Sequence, residues 1–141
     1  MKVKELMARN IPVVSEDTSL REIGRVMVNK NSESVVITTP ESRPIGIITR
    51  SDVVRYLVSE KGLDASLTAK EIVRDDLMTI GPEEELSRAT EFMEERYVHH
   101  LVVVDENGIF VGVLTAIDLS DLDRKQYRII PNLQTGTAIK Q

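Results

Sequence analysis

The chain contains no cysteine and no tryptophan. Disulfides, thiolate catalysis and cysteine metal sites are therefore excluded. Aromatic residues are scarce: Phe92, Phe110, Tyr56, Tyr97 and Tyr127 are all of them. Any core must be built from aliphatic side chains. No apolar run approaches the ~18 residues of a membrane-spanning helix, and the opening segment "MKVKELMARN" lacks the apolar stretch of a secretory signal. The default expectation is a cytoplasmic protein without membrane contact. Positive charge is also in deficit, with 18 Lys and Arg against 23 Asp and Glu and a net charge of −5. Nucleic-acid affinity rests on Lys and Arg neutralising phosphates, so direct nucleic-acid binding is not expected. Walker-type loops, a Gly-x-Gly-x-x-Gly fingerprint and a nucleophile elbow are missing as well.

What the sequence does have is a duplication. "GIITRSD" starts at Gly46 and "GVLTAID" starts at Gly112, 66 residues later. The same offset carries Lys4-Glu5-Leu6 onto Lys70-Glu71-Ile72. It also carries Leu20, Ile23 and Met27 onto Leu86, Ala89 and Met93, and Val35-Val36-Ile37 onto Leu101-Val102-Val103. No gap is needed from Lys4 to Asp52. One offset held across a whole unit marks a repeat.

Each copy has the same plan. A short leader precedes a small strand, Pro12 to Val14 or Met78 to Ile80. Apolar residues at helical spacing then predict an amphipathic helix. A buried strand follows (Val35–Thr38 or Leu101–Val104), then a turn, a strand (Ile45–Thr49 or Val111–Thr115) and a closing helix from about Ser51 or Ile117. Asp105-Glu106-Asn107-Gly108 is a strong hairpin turn. The expected fold class is α+β: two β-α-β-β-α units packed sheet to sheet about a pseudo-twofold axis. A half of this size has too little core to stand alone. The expected boundaries are repeat 1 over 1–60, a linker over 61–68 within the polar "SEKGLDASLT", repeat 2 over 69–123 and a helix-poor tail over 124–141.

The repeated Gly-h-h-Thr-x-x-Asp phrase has two compatible readings. Thr49 or Thr115 can cap a helix whose third residue is acidic. The same free N–H groups and hydroxyl favour a phosphate. A neighbouring carboxylate can accept hydrogen bonds from the vicinal hydroxyls of a ribose, and apolar strand residues can flank a base. The adjacent His99 and His100 point to opposite faces of a strand, so they do not readily share a metal. No metal site is expected.

The order "VKELM", "VVSEDTSLREIGRVM", "MTIGPEEELSRATEFM", "YVHHLVVVDENGIFVGVLTAIDL", with the phrase in both copies, resembles a tandem pair of CBS domains, the module named after cystathionine β-synthase. The resemblance covers roughly Val3 to Leu122. It implies a non-enzymatic regulatory module that binds AMP, ADP, ATP or S-adenosylmethionine between the repeats. It also implies a homodimer and a protein target whose identity the sequence does not carry. Carried onto these positions, one site uses Ile47, Thr49, Arg50 and Asp52 with Met78, Thr79, His99 and His100. There Asp52 faces the ribose, Thr49 and the histidines face phosphate, and Ile47 lines the base slot. A weaker mirror site uses Thr115 and Asp118 with Pro12, Val13, Glu33 and Ser34, and Val113 lines its slot. An inward-pointing Glu33, in the place of His99, would repel phosphate by about 1 kcal/mol or more at a few ångströms. The family often has arginine just before the Asp, where this chain has Ser51 and Ile117. The competing expectations are an interaction module with degenerate sites, a nucleotide hydrolase and a nucleic-acid-linked regulator.

Overall fold

A computed structural model describes residues 1–59, 66–74 and 76–129, with side chains up to Leu122. The linker expected over 61–68 lies mostly outside these residues, as does the tail from 130.

Each repeat forms one three-stranded sheet. In repeat 1 the strands are β1 (Val13–Ser15), β2 (Ser34–Thr38) and β3 (Pro44–Thr49). In repeat 2 they are β4 (Thr79–Ile80), β5 (His100–Val104) and β6 (Phe110–Thr115). In both, the first strand pairs parallel to the middle one and the third antiparallel to it. The registers repeat at the same offset: Ser34 opposes Thr49 and His100 opposes Thr115. Helices α2 (Leu20–Asn29) and α3 (Arg50–Leu57) belong to repeat 1; α5 (Leu86–Arg96) and α6 (Ala116–Ile129) belong to repeat 2. Ser19 caps α2 by accepting the Glu22 N–H at 3.1 Å. The last helix runs to Ile129, so 124–129, expected in a helix-poor tail, are helical.

Strand alternation splits the buried residues into two sets. Val35, Ile37 and Ile48 pack under the helices with Ile23 and Met27. Leu101, Val103 and Leu114 do the same with Leu86, Ala89 and Met93. Val36, Val102 and Val113 are as deeply buried but belong to neither helix-facing cluster. They form the seam between the two sheets, where β3 meets β5.

The leaders are exchanged. Helix α1 (Val3–Leu6) precedes repeat 1, yet Val3 and Met7 sit in the core of repeat 2. Helix α4 (Ala69–Ile72) precedes repeat 2, yet Ala69 sits in the core of repeat 1. The backbone bonds that dock them match pair by pair. Val3 N–H donates to Glu84 O (2.9 Å) and Leu86 N–H to Met1 O (3.0 Å); Ala69 N–H donates to Thr18 O (2.8 Å) and Leu20 N–H to Leu67 O (2.6 Å). Burying one valine side chain contributes roughly 1.5–3 kcal/mol, so each leader ties its own repeat to the other. The turns between the hairpin strands also touch: Arg43 Nη1 donates to Asn107 O at 2.8 Å, and Phe110 N–H to Ser42 O at 3.0 Å.

Candidate functional site

The third strand of each repeat runs directly into a helix, and the Thr-x-x-Asp phrase makes the junction. Thr49 Oγ1 accepts the Asp52 N–H at 3.2 Å, while Asp52 Oδ2 accepts the Thr49 N–H at 2.9 Å and its hydroxyl at 3.0 Å. In repeat 2, Thr115 Oγ1 accepts the Asp118 N–H at 3.1 Å and Asp118 Oδ2 accepts the Thr115 N–H at 3.2 Å. Both phrases are capping boxes. The cap reading holds for each copy.

The caps do not lie apart. Packing of the two sheets across the seam brings both helix starts to one side, where they line a single cleft of about 700 Å³. That volume lies in the ~300–1,000 Å³ range of small-molecule sites. The cleft gathers Ile47, Thr49, Arg50, Asp52, Met78, His99 and His100 of the first expected site, and Glu33, Ser34, Thr115 and Asp118 of the second.

Four expected residues are placed otherwise. Val113 is fully buried, its backbone bridged to Ala8 by bonds of 2.8 and 2.9 Å, so it packs the seam instead of lining a slot. Its equivalent Ile47 stays partly exposed in the cleft. Pro12, Val13 and Thr79 do not line the cleft. Val13 and Thr79 belong to the short first strands, and the Pro12 carbonyl is used by the Val36 N–H at 2.9 Å. The residues just ahead of those strands, Asn10, Ile11, Asp76 and Leu77, line the cleft in their stead.

Glu33 does not turn inward. Its side chain is 81% exposed and lies 3.9 Å from Arg50, whose Nε donates to Ser32 O at 3.1 Å. The repulsion expected from Glu33 is therefore largely screened by solvent. The two halves differ for another reason. Asp52 Oδ1 accepts from Arg74 Nη2 at 3.1 Å and faces Arg55 at 3.5 Å. At the same offset Asp118 has Ala8 and Asp121 in those places, so neither cation is repeated. Arg74 is the site residue that motif reasoning missed. The wall also carries Lys30 and Arg96, giving a local excess of cations over Glu33, Asp52, Asp76 and Asp118 in an acidic chain.

His100 stands between the halves. Burial holds its imidazole below the ordinary histidine range, and His99 beside it adds to this; Asp52, Asp118 and Glu33 pull the other way. One carboxylate from each half, Asp52 and Asp118, thus acts on the same imidazole. Among the described residues no cluster of three or more His, Asp or Glu side chains could hold a metal ion, and no helix is long and apolar enough to cross a membrane.

Comparison with known proteins fits this arrangement. The CBS domain model matches twice, over residues 3–59 and 69–125. Among curated relatives, the uncharacterized protein MK0525 of Methanopyrus kandleri is 28% identical over 123 residues, 87% of this chain and 63% of that protein. Homoserine O-acetyltransferase of Methanohalophilus mahii is 28% identical over 120 residues, 85% of this chain but 24% of the enzyme. The chain thus spans less than two thirds of either. The CBS domain pair of protein MJ0100, solved with 5′-methylthioadenosine and S-adenosyl-L-methionine, superposes with a TM-score of 0.80 at 22% identity, covering 89% of this chain and 98% of that one. CBSX2 in complex with AMP superposes with a TM-score of 0.75 at 18% identity, covering 89% and 97%.

Proposed function

The chain belongs to the CBS-domain family, with two repeats present, and from that premise we propose that it is a sensor that binds an adenosine-bearing ligand in the seam cleft. The ligand is an adenine nucleotide, AMP in the first instance, with ADP and ATP as variants carrying more phosphate. One observation carries this reading. The two repeats present Thr49–Asp52 and Thr115–Asp118 to one cleft, and the Asp52 half is surrounded by arginines. Asp52 takes the ribose hydroxyls, Ile47 and Met78 flank the base, and the Thr49 helix start with Arg50, Arg74 and His100 receives phosphate. Because ligand contacts come from both repeats, occupancy favours one packing of the halves over others, which is what a switch requires.

S-adenosylmethionine is a second reading. It is favoured by the Asp118 half, where Asp121 and Ala8 replace the cations and a carboxylate can face a sulfonium. The solved MJ0100 pair holds this ligand.

Isothermal titration with AMP, ADP, ATP and S-adenosylmethionine, paired with melting curves, tests both. The expected result is saturable heat and a raised melting temperature with AMP, lost in Asp52→Ala. Silence with all four ligands would leave the module as a structural one. Steady ATP turnover that disappears in Asp52→Ala would make it an enzyme instead.

A further inference from the structure

The two walls of the cleft differ in more than charge. Tyr97 closes α5 with φ 55° and ψ 41°, its N–H donating to Met93 O. That is the left-handed region, which a bulky side chain seldom enters because its Cβ crowds the backbone. At the 66-residue offset repeat 1 makes the same turn with Asn31, φ 49°, a residue type that tolerates it. Tyr97 is also 92% exposed. Neither backbone preference nor burial therefore accounts for an aromatic ring at this position. Strained residues of this kind cluster at ligand sites, and Tyr97 lines the cleft.

Its surroundings point the same way. In repeat 1, Arg50 holds the equivalent turn: its Nε donates to Ser32 O at 3.1 Å and its Nη2 to Asn31 Oδ1 at 3.5 Å. Arg50 becomes Ala116 in repeat 2, so that arm is missing beside Tyr97. Ser51 becomes Ile117, which is 67% exposed and lines the cleft as well. The cleft thus has a cationic wall from Lys30, Arg50 and Arg55 of repeat 1. Repeat 2 faces it with one cation, Arg96, and with an open aromatic and an open aliphatic side chain near the Asp118 cap. A mononucleotide seated at Asp52 would use the first wall and leave the second uncovered.

We propose, resting on the nucleotide reading above, that the ligand is a dinucleotide: an adenine nucleotide joined through a phosphate bridge to a second ribose that carries a planar ring. One molecule spans the cleft. The bridge lies among the arginines, Asp118 accepts the second pair of ribose hydroxyls, and the second ring stacks on Tyr97 beside Ile117. Stacking uses the face of a ring and not its edge groups. A nicotinamide and a second adenine therefore share this chemistry.

Titration calorimetry with AMP, ADP-ribose, NADH and diadenosine diphosphate tests the assignment. ADP-ribose has the bridge and the second ribose but no second ring. At least one of the two ringed ligands is expected to bind as one molecule per chain, about tenfold or more tighter than ADP-ribose. The tighter of the two tells nicotinamide from adenine. Tyr97 is a surface residue, so its variants are expected to fold. Tyr97→Ala is expected to cut the preference over ADP-ribose to less than about threefold, and Tyr97→Phe to keep it, since stacking needs the ring and not the hydroxyl. Two ringed molecules per chain, no preference over ADP-ribose, or a preference that survives in Tyr97→Ala would each overturn the proposal. With AMP still bound, those outcomes leave the sensor reading standing; silence with AMP and with all three longer ligands would remove both.

Discussion

Arg74, carried on the leader of repeat 2, donates to Asp52 of repeat 1 across 3.1 Å. Asp52 is the cap acid of α3 and the residue proposed for ribose, so one side chain joins the exchanged leader, the helix start and the cleft. In the proposed complex a ligand hydroxyl on Asp52 would compete with the guanidinium and leave it free to meet the phosphate. Arg74→Ala is therefore expected to weaken AMP binding about tenfold, as for loss of one charge-assisted hydrogen bond. Adenosine, which has no phosphate, should lose less than threefold. Calorimetry with both ligands checks this, and equal losses would place Arg74 outside the phosphate region. The Arg74 side chain is 60% exposed, so the melting temperature should barely move.

Asp52→Asn and Asp118→Asn separate capping from binding. Each amide keeps an oxygen for the Thr N–H, so stability should fall by less than the ~0.5–2 kcal/mol of a lost cap. Nucleotide affinity should drop at least tenfold in Asp52→Asn and less in Asp118→Asn, because only Asp52 is set among arginines. Denaturant melts alongside titration with AMP resolve the two effects. A larger loss in Asp118→Asn would reverse the assigned asymmetry.

The repeat and its elements were legible because helix and strand periods survive divergence: Leu20, Ile23 and Met27 are buried as expected, as are Leu86, Ala89 and Met93. Other features were not. Sequence order does not say which repeat receives Val3, since that is decided by docking against Leu86 and Glu84, over 80 residues away. Arg74 lies 22 residues beyond Asp52 and in no motif. Its one trace was a break in the repeat, a cation opposite Ala8. The orientation of Glu33 depended on Arg50 and solvent, neither of which residue type reveals. Val113 and Ile47 are the same position in two copies, and the Ala8 bridge that pins Val113 is not legible in either residue type.

Gly112 marks where a leader presses on a strand. A Cβ there would stand 2.8 Å from Met7 Sδ and 2.9 Å from the Ala8 carbonyl oxygen. The thioether can move, but the carbonyl is fixed by the Ala8–Val113 bridge. Gly112→Ala is expected to lower stability by about 1–3 kcal/mol, the cost of overpacking a tight contact. Urea denaturation gives the number. Wild-type stability in this variant would mean that the exchanged leader is loosely held.

A pH response of stability is expected from His100. Its folded-state pKa lies below the ordinary histidine value of about 6.5, first through burial and then through His99. As pH falls through ~6.5 the unfolded chain takes up this proton before the folded one. Stability should therefore be level above that point and decline on acidification through it, and His100→Asn should flatten the decline. If the phosphate of the proposed ligand binds beside the ring, its negative charge favours the charged form. AMP binding near pH 6 should then take up more protons in the parent than in His100→Asn, with the nucleotide's own titration common to both. Titrations in two buffers of different ionisation enthalpy measure that difference. Equal proton uptake in the two proteins would remove His100 from the phosphate's surroundings.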